Sequence, residues 1–165
     1  MSDIWHVVWW TYLARPPHDA QADWAELEEH YRAVPRHAAA FSRALPPRYV
    51  PSREAAYRLS ADEQTLLPGL LKDLAGDKGD RVAGGHKVLA AAFVATKVHL
   101  LFHCPKDDLA QVVGRLKSRL ATLLFFSPAR EGYDVLWGKG FWSARLLDAR
   151  LVESTAAFVE RQHGA

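Results

Sequence analysis

Apolar positions recur along this chain at two spacings, and each spacing predicts a different kind of element. Residues 4–13 alternate loosely and are dense in β-formers (Trp5, Val7, Val8, Trp9, Trp10, Thr11, Tyr12), which predicts a strand. The Arg15-Pro16-Pro17 group ends it. Residues 23–34 predict a helix, with Asp23 as N-cap and Glu26, Glu28 and Glu29 near its positive end. Four prolines between 35 and 51 predict an irregular excursion. Ser60 and Glu63 have capping-box spacing and open a helix that runs toward Leu74, with Pro68 inside it. Gly76, Gly79, Gly84 and Gly85 then punctuate a turn, and residues 88–104 read as one long strand or a tight hairpin. Between 106 and 126, Leu109, Val112, Val113, Leu116, Leu120, Leu123 and Leu124 recur at three- and four-residue steps, the mark of an amphipathic helix. Residues 133–147 are aromatic and glycine-rich and predict a strand or hairpin around 136–142, and residues 148–162 predict a closing helix. No internal repeat or low-complexity tract interrupts this order. The alternation of strands and helices predicts an α+β domain with one antiparallel sheet and helices packed on it.

Three polar residues stand out in the apolar run 88–105. Lys97, His99 and His103 are two and four residues apart, so on a strand all three point the same way. His103 lies about 13 Å from His99 at about 3.3 Å per residue, too far to share an ion with it, and reads as a surface histidine at a strand end. On the amphipathic helix, Arg115 and Arg119 share a face opposite the leucine stripe, with Lys117 flanking them.

Composition narrows the class. A chain of 165 residues with 49% hydrophobic content fits a single domain with its own core, spanning 1–165. The lone cysteine, Cys104, excludes an intramolecular disulfide and a cysteine-based zinc site, and predicts an intracellular, cytoplasmic protein. The apolar start lacks the basic residues and small-residue cleavage site of a signal peptide, and no run reaches the roughly 18 apolar residues of a membrane span. Net charge is only +2, but it is uneven. Residues 1–85 hold 10 basic and 12 acidic side chains, whereas residues 86–150 hold 10 basic and 5 acidic. A concentrated positive excess is what a phosphate-binding surface requires, and an ordinary solvated face also produces one.

Five segments, in order, carry a resemblance. Trp5-His6-Val7-Val8-Trp9-Trp10-Thr11-Tyr12 is close to YHVVWxTxY, and Val94-Ala95-Thr96-Lys97-Val98-His99-Leu100-Leu101 is close to MPNHVHLL. Leu116-Lys117-Ser118-Arg119 matches a helix that often reads LKSxxSR. Leu136-Trp137-Gly138-Lys139-Gly140-Phe141-Trp142-Ser143 is similar to a WQRGYF-type segment, and Phe158-Val159-Glu160-Arg161-Gln162 to a YIxxQ or YVxxQ ending. Together they resemble the single-tyrosine HUH transposases, including the REP-associated tyrosine transposases, which cut and rejoin single-stranded DNA hairpins. The fit is weakest over about 14–57.

The resemblance implies a ferredoxin-like fold with the His-x-His strand central in the sheet. In active relatives a divalent metal, Mg or Mn, sits on two strand histidines and a residue one turn beyond a nucleophilic tyrosine, which attacks the scissile phosphate. At the matching positions this chain keeps His99 and Gln162, but has Lys97 for the other histidine and Phe158 for the tyrosine. A phenyl ring cannot attack phosphorus, and a protonated lysine has no lone pair for a metal. The expectation is therefore a degenerate catalytic site at Lys97 and Phe158, an incomplete metal site at His99 and Gln162, and no cofactor. The Lys97 ammonium would occupy roughly the metal's place and neutralise a phosphate, or simply extend from a decayed site.

Three functions follow as expectations. The first is a catalytically inactive, transposase-derived protein that binds single-stranded or hairpin DNA through Arg115, Lys117, Arg119, Lys139 and Arg145, with Lys97 in the old active site. The second is an active strand transferase or nuclease that uses another nucleophile, such as water; Tyr12, Tyr31, Tyr49, Tyr57 and Tyr133 lack helical spacing to a retained ligand and read as structural. The third is a protein-interaction domain using the segment 14–57. The resemblance admits a homodimer, since some relatives are dimers with composite active sites and others are monomers. No membrane partner is expected.

Overall fold

A computed structural model describes residues 3–12, 21–32, 34, 35, 37–41, 57–77, 79–124 and 136–162. The elements run β1 (Asp3–Trp10), α1 (Gln21–Arg32), β2 (Ala39–Phe41), α2 (Ala61–Ala75), β3 (Val88–Phe93), β4 (Lys97–Cys104), a 3₁₀ turn (Lys106–Asp108), α3 (Leu109–Leu123), β5 (Trp142–Leu146) and α4 (Ala149–Gln162). The strands form one antiparallel sheet in the order β2-β5-β1-β4-β3. Without α1, β2 and α4, the order of elements is β-α-β-β-α-β, and its four strands alternate as in a ferredoxin-like sheet. The α+β expectation holds, with β4, which carries Lys97 and His99, inside the sheet between β1 and β3.

Both faces of the sheet are covered, which explains why β1 alternates so loosely. Trp5, Val7 and Trp9 point to one side, where they join Val98, Leu100 and Phe102 of β4 under α2 and α3. Val8 and Trp10 point to the other, with Leu101, Trp142 and Ala144 under α1 and α4. A strand buried on both faces has no solvent side to keep polar, so it reads as a near-continuous apolar run.

Local signals behave as their chemistry requires. Ser60 accepts from the Glu63 amide while Glu63 reaches back to the Ser60 amide, so α2 opens on a complete capping box. Asp148 accepts from the amides of Arg150 and Leu151 at the start of α4. The run 88–104 is a hairpin rather than one strand, with Val94, Ala95 and Thr96 between β3 and β4. At Gly79, an added Cβ would collide with Leu74 O and Gly84 Cα, so only glycine lets the turn after α2 fold so closely on itself. That turn places Asp80, which matters below.

Other boundaries differ from the sequence reading. α1 begins at Gln21, so Asp23 lies in its first turn and not at its cap. The short strand β2 is absent from the sequence reading because three residues on an edge carry no periodic signal. The Arg15-Pro16-Pro17 stop, most of the proline-rich stretch 35–51, the end of the third helix beyond 124, and Tyr49 and Tyr133 lie outside the described residues. No helix among the described residues is long and apolar enough to cross a membrane.

Candidate functional site

Lys97, His99 and Phe158 lie on the α1–α4 face of the sheet. β4 projects Lys97 and His99 from alternate positions, paired in register with Trp10 and Val8 of β1. α4 lays Phe158 over His99 and His6: its ring lies 5.7 Å from the His99 ring at 80° and 6.1 Å from the His6 ring at 74°. His6 comes from β1, on the same face, and its ring stacks on His99 at 5.4 Å. The segment with the weakest family likeness supplies the roof. From α1, His30 stacks on Phe158 at 4.5 Å, Tyr31 Oη approaches His6 Nδ1 to 2.7 Å, and Glu26 Oε2 approaches Lys97 Nζ to 3.6 Å.

A continuous chain of hydrogen bonds runs through this cluster. His99 Nδ1 meets His6 Nε2 at 3.1 Å, His6 Nδ1 meets Tyr31 Oη, Tyr31 bonds Thr155, and Thr155 Oγ1 meets His30 Nε2 at 2.8 Å. In the arrangement where the Tyr31 hydroxyl donates to His6 Nδ1 and His6 Nε2–H donates to His99 Nδ1, the remaining hydrogen sits on His99 Nε2. That nitrogen is buried and makes no hydrogen bond.

Burial governs the electrostatics. It pulls the His6 pKa down to about 3, aided by the His30 charge. His99 is held well below the ordinary histidine value, first by burial and then by the charges of His6, Lys97 and His30. His30 is lowered by burial and by Arg161. Burial raises the Tyr31 phenol far above its usual range, against a smaller opposing hydrogen bond from Thr155. At neutral pH the cluster is thus a set of neutral imidazoles and a neutral phenol.

This set does not fit a divalent metal. Magnesium and manganese demand several oxygen ligands, preferably carboxylates. One His99 nitrogen is engaged by His6, the Lys97 cation lies close by, and the Glu26 carboxylate is paired with that lysine. The Gln162 amide donates to Phe158 O at 3.4 Å, on its own helix. Among the described residues, no group of three or more His, Cys, Asp or Glu side chains is arranged to hold an ion.

The other basic residues singled out in the sequence lie on the opposite side of the sheet. Arg115, Lys117 and Arg119 ride on α3, whose apolar face packs against Trp5, Val7 and Trp9. Arg145 pairs in register with Trp5 and therefore also points to that side. Their states differ. Arg115 Nε donates to Asp80 Oδ2 at 2.6 Å, holding the turn after α2, and the Ala83 amide first and then this bond pull the Asp80 pKa down to about 2. Lys117 Nζ donates to Gly138 O and Gly140 O, both at 2.8 Å, and Trp137 Nε1 donates to Lys117 O at 2.8 Å. Lys117 therefore pins the segment carrying Lys139 onto α3. Arg119 and Lys139 are exposed, and Arg145 is half-buried, 3.9 Å from Asp3. Trp137 and Trp142 are both buried, at 7% and 6% exposure, so neither offers a ring face to a base. His103 sits at the far end of β4, opposite Ile4, as its spacing predicts.

His6, His30 and Thr155 were not singled out from the sequence, Glu26 was read only as an acid near the positive end of its helix, and Tyr31 was read as structural. A signal existed for some of them. Glu26 and His30, and likewise Leu27 and Tyr31, are four apart, so all four share one stripe of α1.

The chain matches no protein-family profile and no curated protein sequence. A crystal structure described as that of a candidate transposase from Deinococcus radiodurans R1 is similar over 100% of this chain and 94% of its own, at 10% identity and a TM-score of 0.37. The ferredoxin-like assignment rests on the strand order and connectivity of this chain itself.

Proposed function

We propose that this protein is a transposase-like DNA-binding protein that holds single-stranded or hairpin DNA without cutting it. One observation carries the loss of chemistry. Phe158, which the sequence resemblance aligns with a nucleophilic tyrosine, is 6% exposed and packed among three histidines beneath α1. It has no hydroxyl, and the groups around it do not fit a metal. DNA binding is supported by the positive excess of residues 86–150 and by the exposed Arg119 and Lys139, the latter on a segment that Lys117 pins to α3.

A second reading has one observation in its favour. Tyr31 places a hydroxyl 2.7 Å from His6 inside the cluster, as a relocated nucleophile would. Its raised pKa opposes this, because the phenol stays protonated.

One experiment separates the two. Incubated with hairpin DNA and Mg²⁺ or Mn²⁺, the protein is expected to give neither cleavage products nor a covalent adduct on a denaturing gel. An adduct that disappears in Tyr31→Phe would overturn the non-cleaving reading and establish Tyr31 as the nucleophile.

A further inference from the structure

The Glu26–Lys97 pair is buried at one end and open at the other. The Lys97 side chain is 2% exposed, whereas that of Glu26 is 53% exposed. A buried ammonium is a donor suited to a phosphate. What meets the ammonium is a carboxylate from α1, the helix that also lays His30 on Phe158 and Tyr31 on His6.

We propose that α1 is an autoinhibitory latch. The Glu26 carboxylate holds the place on Lys97 that a backbone phosphate of bound DNA takes when α1 lifts. This rests on the DNA-binding reading above and adds a regulated phosphate site on the opposite face of the sheet from Arg119 and Lys139. A tethered carboxylate competes at high effective concentration, because it never diffuses away. The apparent affinity of an external phosphate falls in proportion to the fraction of molecules that are open, so a latch closed nine-tenths of the time weakens binding about tenfold.

The test uses Glu26→Gln, which keeps the shape of the side chain and removes its charge, measured against a fluorescent single-stranded oligonucleotide over a range of salt. Glu26→Gln should bind about tenfold more tightly than the parent, with a salt slope steeper by about 0.7 for the one added phosphate contact. Adding Lys97→Met should abolish the gain. A Glu26→Gln curve superimposable on that of the parent overturns the latch, as does a gain that survives Lys97→Met, since bulk charge would then explain it. If neither parent nor variant binds DNA, the DNA-binding reading is what fails. Hydrogen exchange then decides the latch: amides of α1 exchanging as slowly in Glu26→Gln as in the parent overturn it, and faster exchange confined to α1 supports it.

Discussion

Acidification from pH 7 to pH 5 should remove a large part of this protein's stability. His6 is fully buried and neutral, with its pKa lowered to about 3, while in the unfolded chain it titrates near 6.5. Below pH 6.5 the unfolded chain takes up a proton that the folded protein refuses. Stability is therefore complete above pH 6.5 and falls as the pH drops toward about 3. At about 1.4 kcal/mol per pH unit, His6 alone costs about 2 kcal/mol by pH 5 and approaches about 5 kcal/mol by pH 3. His99 and His30 are shifted the same way and add to the loss. A domain of this kind has only about 5–15 kcal/mol in total. Asp80 acts in a different window, since its contribution disappears between its ordinary value of 3.8 and about 2. A fall that begins near pH 6.5 thus reports the histidines. Urea melts at pH 7.5, 6 and 5 measure it, and His6→Gln should flatten the slope. A midpoint unchanged between pH 7.5 and 5 would mean the cluster is not buried and neutral.

Phe158→Ala should be the second most damaging change. The ring fills the space between His30, His6 and His99, and its loss leaves a cavity lined by groups that α1 and two strands hold in place. Removing a buried phenyl costs about 3–5 kcal/mol. Phe158→Leu keeps most of the volume and should cost less. Chemical denaturation of the three proteins at pH 7.5 ranks them. A Phe158→Ala variant within about 0.5 kcal/mol of the parent would show that the ring is not a core residue, and that the site is open.

Much of this architecture is legible in the sequence because its signals are local. The capping box at Ser60 and Glu63, the leucine stripe of α3 and the closing helix ending at Gln162 each depend on residues within a few positions of one another. Strand alternation likewise places Lys97 and His99 on one face. The hidden parts are long-range. His6 and His99 are 93 residues apart, and His30 and Thr155 are 125 apart, so no local window contains either pair. Periodicity tells which face of a helix is apolar, but not which face of the sheet that helix covers. For that reason Lys97 and the cations of α3 read as one DNA-binding set in sequence and lie on opposite sides in the structure. The role of α1 was hidden for a related reason: a mostly charged helix shows only a narrow stripe, and Glu26 reveals its partner only once the chain is folded.

The exposed cations on the α3 side are expected to bind DNA, and a salt series measures this. Binding of a single-stranded oligonucleotide by the parent is compared with that of Arg119→Ala/Lys139→Ala, two exposed positions outside the hydrophobic core. The parent should bind with an affinity that falls steeply with salt, and the double variant should bind all sequences more weakly, with a salt slope reduced by about 1.4, or about 0.7 per lost contact. Indistinguishable curves, or no binding near physiological salt by either protein, would show that these cations do not form a DNA-binding surface.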